Sequence, residues 1–380
     1  MIYLDHAAAT PVSKKARAAM EPYLADNFFN PSAAYLPAKK VRADYEEAKS
    51  AIAHCIGAKG SDIIMTSGAT EANNLAFSLI KSKCLVLATE HDSVLKVAEN
   101  YDHAEIAVLK NGLIDLADFK KKLDDKVDFV SIALAGNELG TIQPLAEIAE
   151  IIRAERLRRL KNGNKTPLFL HSDASQAMNL LDINVARLGV DLLTINSAKV
   201  YGPKGVGALY LSHDVRLTPM LFGGGQENGL RSGTENVAGV IGFATAFKEA
   251  KEHLNGNRKK YEKLVKILRD GLKEGAIEPI FLGASKHQLA NFCPVSYPGI
   301  DAERVIFKLE ENEVYVSTGA ACAASKGQKS HTLAAIGLTD TEISGSLRLS
   351  LGELNDEENI KQAVEIINRT VKEEYERNQK

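Results

Sequence analysis

Lys199 stands where an apolar segment ends, a position from which its amine can do chemistry. The predicted strands Leu192–Ile195 and Val206–Leu211 flank it, joined by a polar turn rich in glycine and proline. Burial disfavours the charged form of an amine, and a neutral lysine amine forms Schiff bases with carbonyl compounds. The same pattern is typical of a β-hairpin with two solvated lysines, Lys199 and Lys204, so this stretch alone leaves both interpretations open.

Other polar residues follow apolar segments in the same way. They are Thr70, His91, Asn137 and Asp173. Ligands of open α/β sheets bind at the carboxyl ends of parallel strands, so we expect these side chains in one crevice with Lys199. A buried aspartate needs a cationic partner, and a protonated pyridine nitrogen is one. Taken singly, each residue is also typical of a structural role.

A run of small residues, Ser67 to Thr70, lies between a predicted strand and a predicted helix. The free N–H groups of a helix N-terminus favour a phosphate, although a plain N-cap has the same pattern. The G-x-x-x-x-G-K-[ST] spacing is absent, which disfavours a nucleotide phosphate.

Cys322 lies among small residues with Lys326 and Lys329 nearby, a setting that favours a nucleophilic thiolate. The other cysteines, at 55, 84 and 293, have apolar neighbours and are interpreted as packing residues. Arg348 alternates with apolar residues in a predicted strand. Its guanidinium is suited to binding a carboxylate, or to an interdomain salt bridge.

The elements that must position these residues alternate between apolar strands and amphipathic helices. This alternation predicts an α/β fold whose large domain has a mostly parallel sheet flanked by helices. We predict an N-terminal arm at residues 1–13 that packs with the small domain, the large domain at 14–254, and a smaller α+β C-terminal domain at 255–380 that carries Cys322. Asn255-Gly256-Asn257 predicts a break between two helices at the boundary.

Composition excludes several classes of function. The 380 residues are 45% hydrophobic with a net charge of −2, so we expect no nucleic-acid or membrane partner. No apolar run approaches the roughly 18 to 20 residues of a membrane span. The four cysteines form no CxxC pair, which predicts no metal site and a reducing, cytoplasmic setting.

A series of short motifs, in order along the chain, resembles the cysteine desulfurases of the class V aminotransferase group. They are YLDHAAATPV, NPSA, TSGATEANN, TEH, NELGTIQP, HSDASQ, AKVYGPKGVGALY, GGGQENGLRSGTEN, STGAAC and SLRLSLG. The resemblance implies the fold type I architecture of enzymes that use pyridoxal 5′-phosphate, and it runs nearly from end to end.

The resemblance also implies roles for individual residues. Lys199 would hold the coenzyme covalently and shuttle protons, Asp173 would pair with its ring nitrogen, Gln176 would sit near its ring hydroxyl and His91 would stack on the ring. The phosphate would be bound by Gly68, Ala69 and Thr70, and by Thr234 of the neighbouring subunit of a homodimer. Asn137 and Arg348 would hold the substrate carboxylate, and Cys322 would accept sulfur.

The implied reaction converts L-cysteine to L-alanine and leaves a persulfide on Cys322, whose sulfur passes to a scaffold protein for iron–sulfur cluster assembly or to another acceptor. Two alternatives stay open: another class V lyase or aminotransferase, such as a selenocysteine lyase, and a coenzyme-poor non-catalytic homologue.

The position before Lys199 departs from the family pattern, as does Gly136 before Asn137. The residue before Lys199 is Ala198, where relatives usually carry a histidine that binds phosphate. Asn196 or Ser197 would supply a replacement hydrogen bond, but a neutral donor is weaker than a charged one. We therefore expect weaker retention of the coenzyme than in a relative with the histidine.

Overall fold

The structure is a computed structural model and describes residues 1–318 and 329–379. Cys322, predicted as the sulfur acceptor, lies outside the described residues. The strands are β1 (Ile2–Tyr3), β2 (Ile63–Thr66), β3 (Lys83–Leu87), β4 (Asp102–Ile106), β5 (Val127–Ser131), β6 (Phe169–Asp173), β7 (Leu192–Asn196), β8 (Gly207–Leu211), β9 (Ile280–Phe281), β10 (Phe292–Ser296), β11 (Val314–Tyr315), β12 (Ser317–Thr318) and β13 (Ser346–Ser350). The helices are α1 (Lys14–Met20), α2 (Leu36–Cys55), α3 (Ala69–Phe77), α4 (Asp92–Ala98), α5 (Leu116–Lys122), α6 (Leu145–Lys161), α7 (Val185–Leu188), α8 (Val237–Lys273), α9 (Ala302–Glu311), α10 (His331–Ala335), α11 (Asp340–Ser344) and α12 (Glu357–Asn378).

The largest sheet has the strand order β2-β8-β7-β6-β5-β3-β4. In this order, each strand from β7 to β4 pairs in parallel with the next. Strand β8 is antiparallel to both of its neighbours, β7 and β2. The prediction of a mostly parallel sheet flanked by helices is confirmed. The two strands predicted on either side of Lys199 are direct antiparallel neighbours in this sheet.

Both faces of the sheet are covered, which explains why its strands are nearly continuously apolar. Along β3 the side chains of Cys84 and Val86 enter one hydrophobic cluster, while Leu85 and Leu87 enter another. Successive residues of a strand point to opposite faces, so the two clusters lie on opposite sides of the sheet. All five residues of β5 are buried.

A second, antiparallel sheet has the order β12-β13-β10-β9. The N-terminal arm joins this part of the molecule: β1 pairs in parallel with β11, and Asp5 bridges to Ser350 at the end of β13. The division of the chain into domains at 14–254 and 255–380 stays a prediction.

The predicted helix break at Asn255-Gly256-Asn257 is wrong. Helix α8 runs from Val237 to Lys273 without interruption. Glycine costs a helix about 1 kcal/mol relative to alanine, and packing on either side of Gly256 outweighs that cost. Buried side chains, Phe243 and Phe247 before it and Tyr261 and Leu264 after it, anchor the helix on both sides. Among the described helices, α8 included, none has the length and apolar composition needed to cross a bilayer.

Candidate active site

A cavity of about 350 Å³ opens where β3, β6 and β7 end. It is lined by residues from many separate segments of the chain. Those predicted from the sequence are Ala69, Thr70, His91, Asn137, Asp173, Gln176, Asn196, Lys199 and Arg348. The expectation that strand ends converge on one crevice with Lys199 is thus met in the geometry, and the role of each residue stays a prediction.

Within the described part of the chain, three predicted site residues do not line the cavity. Gly68 is the N-cap of α3, directly before the lining residue Ala69. Ser197 is fully buried and its Oγ faces Gly202, where a β-carbon would lie only 2.1 Å from that oxygen. Thr234 is exposed on the surface. Of the two candidates for replacing the missing histidine, only Asn196 therefore faces the cavity.

The N-terminal arm holds Lys199 at the cavity. The Nζ of Lys199 donates hydrogen bonds to the carbonyl oxygens of Ala7, at 2.7 Å, and of Ala8, at 2.6 Å. Gln176 Nε2 donates to the Ala7 carbonyl as well, at 3.0 Å. Ala7 and Ala8 line the cavity themselves. The arm is therefore part of the site, which the sequence pattern did not reveal because alanines carry no chemical signal.

Asp173 ends β6 with its carboxylate buried at the cavity. Its Oδ2 accepts a hydrogen bond from Asn73 Nδ2 at 2.9 Å, and its Oδ1 accepts one from the backbone N–H of Ser175 at 2.9 Å. Both donors fix the orientation of this carboxyl group at the cavity. Asn73 was missed as a site residue, although it lies within the motif TSGATEANN.

The imidazole of His91 has its tautomer fixed by a helix cap. Its Nδ1 accepts a hydrogen bond from the backbone N–H of Ser93 at 3.0 Å at the start of α4. Burial lowers the pKa of His91 from its usual 6.5, and the opposing effect of Asp173 is smaller. The ring is therefore neutral at pH 7, with its proton on Nε2, and acts as a donor from that nitrogen.

Arg348 crosses from the second sheet to the cavity with only 4% of its surface exposed. Its Nη2 donates to Asp5 Oδ1 at 2.7 Å and its Nη1 to the carbonyl oxygen of Asn137 at 3.1 Å. Its Nε is buried and has no hydrogen-bond partner among the described residues. Arg348 therefore makes a salt bridge, to Asp5, and its role in binding a carboxylate stays a prediction.

Two buried glutamates line the cavity and were missed by the sequence analysis. Burial raises the pKa of Glu90 to about 8, with a further contribution from the negative charge of Asp173. Burial likewise raises the pKa of Glu138, whose Oε2 accepts a hydrogen bond of 2.6 Å from Ser330 Oγ. The signal that could have identified them is their position, since each directly adjoins a predicted site residue at a strand end.

The described cysteines are packing residues, as predicted. Cys55, Cys84 and Cys293 are buried and free. Burial raises the pKa of the Cys55 thiol to about 11 and those of Cys84 and Cys293 to about 12. A thiol nucleophile reacts as the thiolate, so these three are unreactive at neutral pH.

Comparisons with known sequences give a consistent result. The family model for class V aminotransferases matches residues 2–363. The chain is 37% identical to the cysteine desulfurase IscS 1 of Archaeoglobus fulgidus, over 97% of this chain and 96% of that protein. It is 35% identical to the cysteine desulfurase IscS of Dictyoglomus turgidum, over 97% of this chain and 94% of that protein.

Solved structures resemble this one over most of its length. A NifS-like protein superposes with a TM-score of 0.89 at 29% identity, covering 98% of this chain and 99% of that one. A structure described as SspA in complex with cysteine superposes with a TM-score of 0.78 at 30% identity, covering 92% of this chain and 99% of that one.

Proposed function

The chain belongs to the class V aminotransferase family and is a cysteine desulfurase, and on this premise we propose that it uses pyridoxal 5′-phosphate at Lys199 to convert L-cysteine to L-alanine and transfers the sulfur to Cys322. The observation that supports this most directly is the convergence of Lys199, Asp173 and Arg348 on one cavity. An amine, a buried carboxylate and a guanidinium are the groups that a coenzyme aldehyde, a pyridinium and a substrate carboxylate require.

The residues present fit this coenzyme. A volume of about 350 Å³ is within the range of small-molecule sites. Asp173, oriented by hydrogen bonds from Asn73 and from the backbone of Ser175, would pair with the protonated ring nitrogen. Ala69 and Thr70, in the first turn of α3, offer backbone N–H groups to the phosphate, and Asn196 adds a neutral side chain. When bound, the coenzyme withdraws electrons from the substrate, so that bonds at Cα and Cβ can break.

Each residue then has a defined task. Arg348, fixed by Asp5 and by the carbonyl oxygen of Asn137, binds the substrate carboxylate. Lys199 Nζ moves the Cα proton, and the carbonyl oxygens of Ala7 and Ala8 keep the displaced amine within the cavity. Cys322 attacks the substrate sulfur as a thiolate.

Two variants separate this function from its alternatives. The purified protein should show the visible absorbance band of the bound coenzyme, and Lys199→Ala should lose it. Cys322→Ala should keep the band but lose the release of alanine and sulfide from L-cysteine. A protein without the band would be the coenzyme-poor homologue. Full release of alanine and sulfide by Cys322→Ala would instead favour another lyase, such as one that acts on selenocysteine.

The assembly we propose is a homodimer in which Thr234 of each subunit reaches the phosphate of the other. Two large apolar side chains are exposed in the parts of the chain involved: Phe222, in the segment before Thr234, is 83% exposed, and Leu36, the first residue of α2, is 80% exposed. This segment is held against α2, at whose start Leu36 lies, because the buried Glu227 accepts hydrogen bonds from Tyr45 at 2.5 Å and Lys49 at 2.8 Å. Exposed patches of this kind mark association surfaces.

The destination of the sulfur is also a proposal. The relatives named IscS and NifS-like support a role in which the persulfide on Cys322 passes its sulfur to a scaffold protein for iron–sulfur cluster assembly, or to another acceptor, in the cytoplasm. Incubation of the protein with labelled cysteine and a candidate acceptor, followed by detection of labelled sulfur on the acceptor, tests this step.

A further inference from the structure

His331 lines the cavity, but none of the roles proposed for the cavity residues involves it. It is the first residue of α10, and its side chain is 36% exposed. Its Nε2 lies 2.8 Å from the backbone carbonyl oxygen of Glu90. A carbonyl oxygen only accepts hydrogen bonds, so Nε2 carries the proton of the neutral ring. The lone pair of His331 is therefore on Nδ1.

The two histidines of the cavity consequently differ in what they can do. His91 uses its Nδ1 lone pair to cap α4, and its other nitrogen is a donor. In His331 the donor nitrogen is the one engaged, and Nδ1 lies 4.0 Å from Asp92 Oδ1, beyond hydrogen-bonding distance. Of the two rings, only that of His331 presents a nitrogen that can accept a proton without breaking a bond described in the structure.

Two acidic side chains lie near His331. Asp92, at the start of α4, has its Oδ1 atom 4.0 Å from Nδ1 of His331. Glu138 accepts a hydrogen bond from Ser330, the residue directly before His331. A positive charge formed on the ring during the reaction would therefore lie close to the Asp92 carboxylate.

We propose that His331 is the catalytic base that accepts the thiol proton of the substrate cysteine. This inference rests on the proposed desulfurase function. A free thiol has a pKa of about 8.5, so the substrate is mostly protonated at neutral pH and its proton must leave as the new sulfur–sulfur bond forms. Nδ1 of His331 is a basic nitrogen on a cavity-lining residue that is suited to accept this proton.

The proton and electron balance is complete within this step. The Cys322 thiolate attacks the substrate sulfur, a sulfur–sulfur bond forms, and the Cβ–S bond breaks with its electron pair left on Cβ. The thiol proton moves to Nδ1 of His331, and Cβ takes up one proton to become the methyl group of alanine. Cβ is reduced as the sulfur is oxidised, so no external oxidant is needed. His331 returns its proton and ends as it began.

The test compares L-cysteine with L-selenocysteine on the holoenzyme. A selenol is already ionised at neutral pH and needs no base. His331→Gln keeps a donor for the Glu90 carbonyl but has no basic nitrogen. We expect its turnover of L-cysteine to fall about 100-fold. We expect its turnover of L-selenocysteine to stay within about twofold of wild type, because the ionised selenol has no proton for a base to remove.

Binding is measured separately, by titrating the coenzyme absorbance with L-alanine, which has no thiol. The affinity should be unchanged in His331→Gln. The matched control is His213→Gln, a histidine exposed on the surface, which should change none of these values. Asp92→Asn, which removes the neighbouring carboxylate and leaves the imidazole, should reduce turnover of L-cysteine by less than His331→Gln does.

The outcomes separate this inference from the function it rests on. Equal losses on both substrates, or weaker L-alanine binding in His331→Gln, would assign the ring a structural role and overturn the proposal. Unchanged L-cysteine turnover would overturn it too. If the wild-type protein releases no alanine from L-cysteine, it is the proposed desulfurase function that fails.

Discussion

Three carboxyl groups, those of Asp173, Glu90 and Glu138, lie at one cavity, and their surroundings differ. Glu90 and Glu138 are buried deeply enough that burial raises the pKa of each. Asp173 accepts hydrogen bonds from Asn73 Nδ2 and from the backbone N–H of Ser175. At the scale of single residues, these two donors fix the carboxyl group of Asp173 at the position where a protonated ring nitrogen is proposed to bind.

The raised pKa of Glu90 predicts how stability depends on pH. Between the unfolded pKa of about 4.3 and the folded pKa of about 8, the folded state binds a proton that the unfolded state has lost. The free energy of unfolding therefore falls as pH rises through this window, by up to about 1.4 kcal/mol per pH unit. In Glu90→Gln no carboxyl group titrates at this position. Between pH 5 and pH 8 the free energy of unfolding of the coenzyme-free variant should therefore rise by about 3.5 kcal/mol relative to that of the wild type.

Urea denaturation at several pH values measures this difference. The control is Glu365→Gln, a change of the same kind at an exposed position on α12. An unfolding free energy that falls equally with pH in wild type and in Glu90→Gln would show that Glu90 does not bind the extra proton.

Ala198 predicts a measurable weakness in coenzyme binding. Replacing it by histidine restores an imidazole next to Lys199, and a hydrogen bond to a charged phosphate contributes about 1.5 kcal/mol. Ala198→His should therefore bind pyridoxal 5′-phosphate about tenfold more tightly than wild type, measured by equilibrium dialysis. Ala154→His, exposed on α6, is the control. Equal affinities in wild type and Ala198→His would show that Asn196 or another donor already compensates.

At the scale of elements, the continuous helix α8 contains a glycine at a position where a side chain would fit. Gly256 is exposed, and a β-carbon there would meet open space. Gly256→Ala should therefore raise the free energy of unfolding by about 1 kcal/mol, measured by chemical denaturation. Gly239→Ala in the same helix should destabilise instead, because its β-carbon would lie 2.5 Å from Val206 Cγ2. A loss of stability in Gly256→Ala would indicate that the helix bends or opens there.

The elements also show where prediction from sequence reaches its limit. Apolar segments and their polar ends were sufficient to predict β6, β7 and the cavity that they share, because burial and strand direction leave a strong pattern. The pattern failed at Gly256, where local propensity is overruled by packing from distant residues. It also failed for Ala7, Ala8 and Glu90, whose place at the cavity depends on contacts between distant segments.

At the scale of the whole molecule, the cavity combines separate parts of the chain. Asp173 ends β6 and Lys199 follows β7 in the large sheet, Arg348 lies in β13, and Ala7 and Ala8 lie in the N-terminal arm. The arm bridges to β13 through Asp5 and accepts hydrogen bonds from Lys199 at Ala7 and Ala8, so it joins the two sheets at the site. The predicted contact of Thr234 extends this arrangement to a second subunit.

The proposed homodimer predicts a specific effect of Phe222→Asp. A charge on a side chain that is 83% exposed costs little in an isolated subunit, but it is strongly unfavourable if a second subunit buries that position. The variant should therefore behave as a monomer in light scattering at concentrations where wild type is a dimer. Its coenzyme affinity should fall as well, because Thr234 of the neighbouring subunit would no longer reach the phosphate. Leu160→Asp makes the same kind of change at a residue that is 75% exposed on α6, and it should leave both values unchanged. A Phe222→Asp variant that stays dimeric would show that the subunits associate through another surface. A wild-type protein that is monomeric would contradict the proposed homodimer.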